Sequence, residues 1–214
     1  MLKAVVFDLD GVICHTDKYH YLGWKKLADE LGVYFDETIN NRLRGVSRMA
    51  SLEIILEKFD GTLSTEEKVQ AAERKNGYYR ELLKQMSTAD LSDEVKATLD
   101  GLRAKGLKLA IGSSSKNAKF ILERIGLGDY FDAISDGNNI TRSKPDPEVF
   151  LCAADMLGLT PADCLVVEDA EAGIKAGIDG GFKTAAIGDA TKCGLSTFNL
   201  STFSDLIAVA DKLI

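Results

Sequence analysis

Short apolar runs that end in acidic, serine or glycine residues recur along the chain, separated by longer stretches of helical spacing. Ala4–Phe7 is apolar throughout and runs into Asp8, and Gly11 just beyond suits a tight turn. This predicts a buried strand that delivers acids at its carboxyl end. Residues 107–111 lead into Gly112-Ser113-Ser114-Ser115, residues 164–167 into Glu168-Asp169, and residues 184–187 into Gly188-Asp189. Between these runs, helical patterns cover 117–125, 146–157 and 170–179, closed by Gly126, Gly158 and Gly180. Strands alternating with helices predict an α/β fold around a parallel sheet, in which ligands bind beyond the carboxyl ends of the strands.

The alternation stops between about residues 16 and 88, where helical periodicity continues without a convincing buried strand. Ser64-Thr65-Glu66-Glu67 has the form of a capping box opening a helix that runs through Leu83. Leu22, Leu27 and Leu31 predict an earlier amphipathic helix. The expected organisation is a Rossmann-like parallel-sheet core of residues 1–15 and 89–214, interrupted by an α-helical cap domain of residues 16–88.

Composition narrows the functional classes. The chain has 214 residues and carries 33 acidic against 26 basic side chains, a formal charge of −7. Nucleic-acid binding rests on clustered cations, so this balance argues against it. No apolar stretch approaches the roughly 18 residues of a membrane span, and the acids at Asp8 and Asp10 are the wrong pattern for a signal peptide. Cys14, Cys152, Cys164 and Cys193 are scattered, with neither disulfide-framework nor zinc spacing. A cytoplasmic protein, without a membrane or nucleic-acid partner and monomeric, is the expectation.

The candidate chemistry lies at the predicted strand ends. Asp8 and Asp10 stand two residues apart before Gly11, so one turn can bring both toward a pocket, although D-x-D-G alone is equally a solvated turn. Glu168-Asp169 would bring the acids at this edge to four. Like charges about 4 Å apart repel by roughly 4 kcal/mol at an effective dielectric near 20, so either their pKa values rise or a cation binds among them. Mg2+ suits oxygen ligands and leaves a carboxylate available to act on substrate; the plain alternative is an acidic surface. Ser113-Ser114-Ser115 precedes a helix, where hydroxyls and free backbone N–H groups could receive an anion or merely cap the helix. Lys144, held before Pro145, could balance a transferring phosphoryl group or be an ordinary loop lysine. His20 and Trp24 share a helix face with Leu27 and Leu31, which by itself reads as core.

In this order and spacing, the four core motifs resemble the haloacid dehalogenase superfamily of phosphotransferases. The resemblance covers residues 1–14 and about 91–188. It implies Asp8 as nucleophile, Asp10 as acid and base, and Ser113 and Lys144 as groups orienting and balancing the phosphoryl group. It further implies an Mg2+ site of Asp8, Asp10 through its backbone carbonyl, Glu168 and Asp169. The cap residues Thr16, His20, Trp24, Gly45-Val46-Ser47-Arg48, Ser51 and Lys75-Asn76 are similar to those of bacterial β-phosphoglucomutases. That similarity implies a sugar-phosphate substrate, β-glucose 1-phosphate with β-glucose 1,6-bisphosphate as intermediate. Arg48 and Ser115-Lys116-Asn117 would hold the phosphate that is not reacting, His20 and Lys75 would form a network toward Asp10, and Thr16 would mark the hinge. Two departures stand out: His15 where relatives commonly carry Asp, and Asp93-Glu94 where they often have Pro-Gly. A sugar-phosphate phosphatase on the same scaffold, and a sensor without chemistry, remain alternatives.

Overall fold

The computed structural model describes residues 1–43 and 47–214. The chain divides into two compact units, Met1–His15 with Ser87–Ile214, and Thr16–Met86. Among the described residues the larger unit holds strands β1 (Ala4–Phe7), β2 (Lys108–Gly112), β3 (Ala133–Ser135), β4 (Cys164–Glu168), β5 (Lys183–Ala186) and β6 (Phe198–Asn199). They form one parallel sheet in the order β3-β2-β1-β4-β5-β6. The growth of the sheet reverses direction between β1 and β4, the kind of crevice where doubly wound sheets bind ligands. Register sets what meets there. Phe7 is level with Ile111 and with Val167, so the residues that follow on the central strands, Asp8, Gly112 and Glu168, emerge side by side.

The smaller unit is helical: α1 (Asp17–Glu30), α2 (Glu37–Asn41), α3 (Arg48–Leu56) and α4 (Thr65–Leu83) among the described residues. Its core joins Trp24, Leu27, Val33, Phe35, Leu52, Ile55 and Ala71. The capping box on α4 forms as predicted: the Glu67 N–H donates to Ser64 Oγ at 3.2 Å and the Ser64 N–H to Glu67 Oε2 at 2.7 Å. The face of α1 differs from the leucine reading. Gly23, Trp24, Leu27 and Ala28 are buried, whereas Leu22 is exposed. Leu22 is 100° from Gly23 on the helical wheel, outside the stripe that packs on α4.

The larger unit's sheet is covered by α5 (Asp93–Ala104), α6 (Ala118–Arg124), α7 (Glu148–Met156), α8 (Glu171–Asp179) and α9 (Asp205–Leu213). All four residues of β1 are completely buried, as a strand covered on both faces requires. Phe7 stacks with Phe203 and meets Phe131 edge-on. Strands β3 and β6 escaped the sequence reading, being three and two residues long, too short for a periodic signal. After α8 the left-handed residue is Gly181, at φ +80°, rather than Gly180.

Candidate active site

Asp8 leaves β1 with its N–H donated to Val167 O at 3.0 Å, which ties it to the end of β4. The chain then turns tightly: the Gly11 N–H donates to Cys14 O at 2.7 Å and the Cys14 N–H to Leu9 O at 3.2 Å. Gly11 has φ +87°, and a Cβ there would overlap the Asp169 carboxylate, so two independent demands select glycine. From β4 come Glu168, buried, and Asp169, partly buried. Glu168 Oε2 accepts the Ala170 N–H at 3.0 Å, and a Cβ on Gly173 would collide with the same carboxylate.

The loop before α7 inserts Lys144 between these acids. Its ammonium lies 2.5 Å from Asp8 Oδ1 and 2.6 Å from Glu168 Oε1, over the Phe150 ring at 4.6 Å. The Lys144–Pro145 peptide is cis. Burial alone would lower the Lys144 pKa, but the Asp8 and Glu168 charges outweigh it and the net shift is upward, so the ammonium stays charged. Burial, aided by the Asp8 charge, raises the Glu168 pKa against the pull of Lys144. Asp8, Glu168 and Asp169 each offer a carboxylate oxygen within 4.8 Å of the others. Three hard oxygen donors converging on one point fit a hard divalent cation. The Asp10 carboxylate stands outside that set. Asp10 is half-buried and bridges to Cys14.

The serine loop follows β2. Ser113 is buried, its N–H donated to Ser135 O at 3.1 Å and its Oγ accepting the Ser115 N–H at 3.2 Å. Ser115 Oγ accepts the Asn117 N–H at 3.2 Å, and Asn117 is buried. The N–H groups of Ser113, Ser115 and Asn117 are thus engaged within the unit. Lys116 is exposed. The loop after β3 braces this one: Asn138 Nδ2 donates to Lys116 O at 3.0 Å and the Gly137 N–H to Ser115 O at 3.2 Å.

In the helical unit the Lys75 ammonium is 3.0 Å from His20 Nδ1 and lies over the Trp24 and Tyr79 rings at 4.6 and 4.7 Å. The His20 ring stacks on Tyr79. An ammonium has only donors, so Nδ1 is the acceptor and the ring proton sits on Nε2. Burial first, then the charges of Lys75 and Arg48, hold the His20 pKa well below its usual value. Arg48 donates to Glu73 Oε1 and to Asn76 Oδ1, both at 3.0 Å. Ser47 caps α3 through the Ala50 N–H, and Ser51 and Thr16 are buried. Trp24 belongs to the helical core. Gly45 and Val46 lie outside the described residues.

Each unit thus assembles its own cluster: Asp8, Lys144, Glu168 and Asp169 beside the serine loop in one, and His20, Trp24, Lys75 and Tyr79 in the other. Sequence reasoning missed Tyr79, Glu73, Glu148 and the 136–139 loop. Tyr79 is four residues after Lys75 on α4, a spacing that could have revealed it. The 136–139 loop follows an unrecognised strand and gave no such signal.

A parallel sheet with this strand order, carrying an acidic turn after β1, a serine loop after β2 and an acidic pair after β4, defines a class. A family model for haloacid dehalogenase-like hydrolases matches residues 2–181, and the chain belongs to that family. Within it, the chain is 43% identical over 190 residues to the β-phosphoglucomutase of Bacillus subtilis, covering 87% of this chain and 84% of the relative. The crystal structure of β-phosphoglucomutase from Clostridium difficile superposes with a TM-score of 0.92 at 35% identity, covering 100% of this chain and 97% of that one. A phosphorylated carbohydrates phosphatase of Thermotoga maritima is 29% identical, covering 85% of this chain and 83% of the relative.

Proposed function

We propose that the chain interconverts β-D-glucose 1-phosphate and glucose 6-phosphate through an aspartyl-phosphate on Asp8 and β-glucose 1,6-bisphosphate. The observation that carries the phosphoryl-transfer chemistry is the Lys144 ammonium lodged between the Asp8 and Glu168 carboxylates with Asp169 alongside. The choice of sugar rests on the similarity to the two β-phosphoglucomutases.

In the forward half-reaction the C6 hydroxyl of β-glucose 1-phosphate attacks phosphorus on phosphorylated Asp8. The new O–P bond forms as the Asp8 O–P bond breaks, Asp10 takes the hydroxyl proton, and Asp8 returns as a carboxylate. In the second half-reaction Asp8 attacks the C1 phosphate of the turned-around bisphosphate, and Asp10 returns its proton to the departing C1 oxygen. General acid–base help of this kind is worth about 10²- to 10⁴-fold. Lys144 offsets charge on the moving group, where electrostatic stabilisation is usually the largest contribution. Mg2+ held by Asp8, Glu168, Asp169 and the Asp10 carbonyl would supply further positive charge to the phosphoryl oxygens. Ser113 orients the reacting phosphoryl group. By the family resemblance Arg48 and Ser115-Lys116-Asn117 would bind the other phosphate, and His20 and Lys75 would support Asp10. By the same resemblance Thr16 would mark the hinge of the helical cap, and Trp24, Ser47 and Ser51 would serve the sugar; Gly45 and Val46, assigned with them, lie outside the described residues. A cytoplasmic monomer is part of the same proposal; among the described residues no helix is long and apolar enough to cross a membrane.

The test supplies Mg2+, β-glucose 1-phosphate and a trace of glucose 1,6-bisphosphate, and follows glucose 6-phosphate and free phosphate separately. Glucose 6-phosphate formation that disappears in Asp8→Asn is the expected result. Release of phosphate with little isomer overturns the mutase in favour of a phosphatase. That second reading is favoured by the resemblance to the Thermotoga maritima protein.

A further inference from the structure

Lys144 must place a flexible side chain within tenths of an ångström of two carboxylates, yet it rides on residues 136–147, which contain no helix or strand. The Glu148 carboxylate makes four of the hydrogen bonds that hold that loop. Glu148 opens α7, where the next two residues, Val149 and Phe150, are completely buried in the core, so its own position is fixed by packing. From there its carboxylate reaches back across the loop. Glu148 Oε1 accepts the Thr141 N–H at 3.0 Å and the Thr141 hydroxyl at 3.1 Å. Glu148 Oε2 accepts the Arg142 N–H at 2.7 Å and the same hydroxyl at 3.0 Å. Asp146 completes the closure. Its Oδ1 accepts the Glu148 N–H at 3.0 Å, its Oδ2 pairs with Arg142 at 2.9 Å, and its own N–H donates to Ser143 O at 3.1 Å.

We propose that Glu148 is a positioning residue for phosphoryl transfer: its carboxylate closes the Thr141–Glu148 loop and thereby aims Lys144 at Asp8 and Glu168. Both ends of the loop are stapled to the rigid start of α7, and Lys144 stands in the middle, pointing inward. The bonds are charge-assisted and converge on one residue, so they set geometry more firmly than neutral loop contacts. Thr141 and Arg142 are exposed, and water can replace the carboxylate at their N–H groups. Removing Glu148 therefore costs the fold little and costs Lys144 its aim. Misplacement of a reacting group by about 1 Å lowers rates by up to about 10²-fold. This proposal rests on the reading that Lys144 serves transfer at Asp8, and the experiment separates the two.

The first measurement needs no turnover. Lysine acetylation mapped by mass spectrometry compares Lys144, whose side chain is 8% exposed, with Lys75, which is 3% exposed in the other unit. Glu148→Ala is expected to raise labelling of Lys144 several-fold and leave Lys75 unchanged. Equal protection of Lys144 in variant and wild type, or a parallel rise at both lysines, overturns the proposal. The second measurement is a double-mutant cycle with Lys144→Ala on Mg2+-dependent hydrolysis of p-nitrophenyl phosphate. Alone, Glu148→Ala is expected to lower kcat about tenfold to a hundredfold with KM within about twofold. Combined with Lys144→Ala it should add less than about twofold. The same factor in both backgrounds refutes action through Lys144. Should Glu148→Ala not fold, Glu148→Gln keeps one acceptor and turns an N–H₂ toward Arg142; a wild-type kcat in that variant also refutes the proposal. If Lys144→Ala itself has a wild-type kcat, the assigned role of Lys144 fails, while the labelling result still decides whether Glu148 positions it.

Discussion

Replacing Lys144 by methionine removes one charge from a place where it meets two. The three side chains of the Lys144, Asp8 and Glu168 cluster are 8%, 11% and 2% exposed, so solvent screens little of the interaction. Methionine keeps an unbranched stem against Phe150, which confines the change to the charge. Removing one partner of a buried pair costs about 3–5 kcal/mol, or about 6–20 °C of melting temperature for a chain of this size. The loss is bounded, because Glu168 can escape it by taking a proton. Its pKa is already raised, first by burial and then by Asp8, and the substitution removes the opposing pull of Lys144. A carboxyl whose folded pKa exceeds its unfolded value holds its proton more tightly when folded. That contribution is complete below the ordinary value of 4.5 and is lost as pH rises through the folded pKa. The destabilisation of Lys144→Met should therefore shrink toward pH 4.5 and grow above it, by at most about 1.4 kcal/mol per pH unit for the one proton. Calorimetry in EDTA between about pH 5 and 8 reads this window. Fluorescence does not, since the lone tryptophan, Trp24, lies in the helical unit. Added Mg2+ should restore more stability to the variant than to the wild type, because a cation among Asp8, Glu168 and Asp169 replaces the missing charge. A variant as stable as the wild type across this range, or one most destabilised at low pH, refutes the reasoning.

Two further perturbations test other parts of the structure. His20 titrates well below its usual 6.5, so the folded protein binds fewer protons than the unfolded chain as pH falls through that value. The helical unit should lose stability below about pH 6.5, by up to about 1.4 kcal/mol per unit. In urea melts followed at Trp24, His20→Gln should lessen that slope, and an unaltered slope counts against the assignment. Glycine-to-alanine changes in two helices should have opposite signs. Gly77→Ala, exposed on α4 with nothing within 4 Å of the new Cβ, should stabilise by roughly 0.5–1 kcal/mol. Gly173→Ala drives a methyl into the Glu168 carboxylate and should destabilise by about 1–3 kcal/mol while weakening Mg2+ binding. Matching shifts in the two melting curves would contradict the close approach of Gly173 to Glu168.

The sequence by itself determined the four longer strands of the sheet, β1, β2, β4 and β5, and the acids that follow β1 and β4. The apolar run into Asp8 and its counterparts at 107–111 and 164–167 are strands buried on both faces, and such strands write their burial into composition without help from distant residues. The capping box at Ser64 and the glycine ends of the helices are equally local, because the groups that satisfy them lie within a few positions. Tertiary structure decided what depends on neighbours remote in the chain. It paired Lys144 with Asp8, 136 residues away, and stacked His20 on Tyr79. It placed Leu22 outside the helical core and engaged the N–H groups of Ser113, Ser115 and Asn117 within their own unit. It also made Glu148 the anchor of the Lys144 loop, which in the sequence is only an acid in the first turn of a helix. Register across β1, β2 and β4 is the physical reason for the difference: it brings residues separated by more than a hundred positions within hydrogen-bond reach, and no local pattern encodes that.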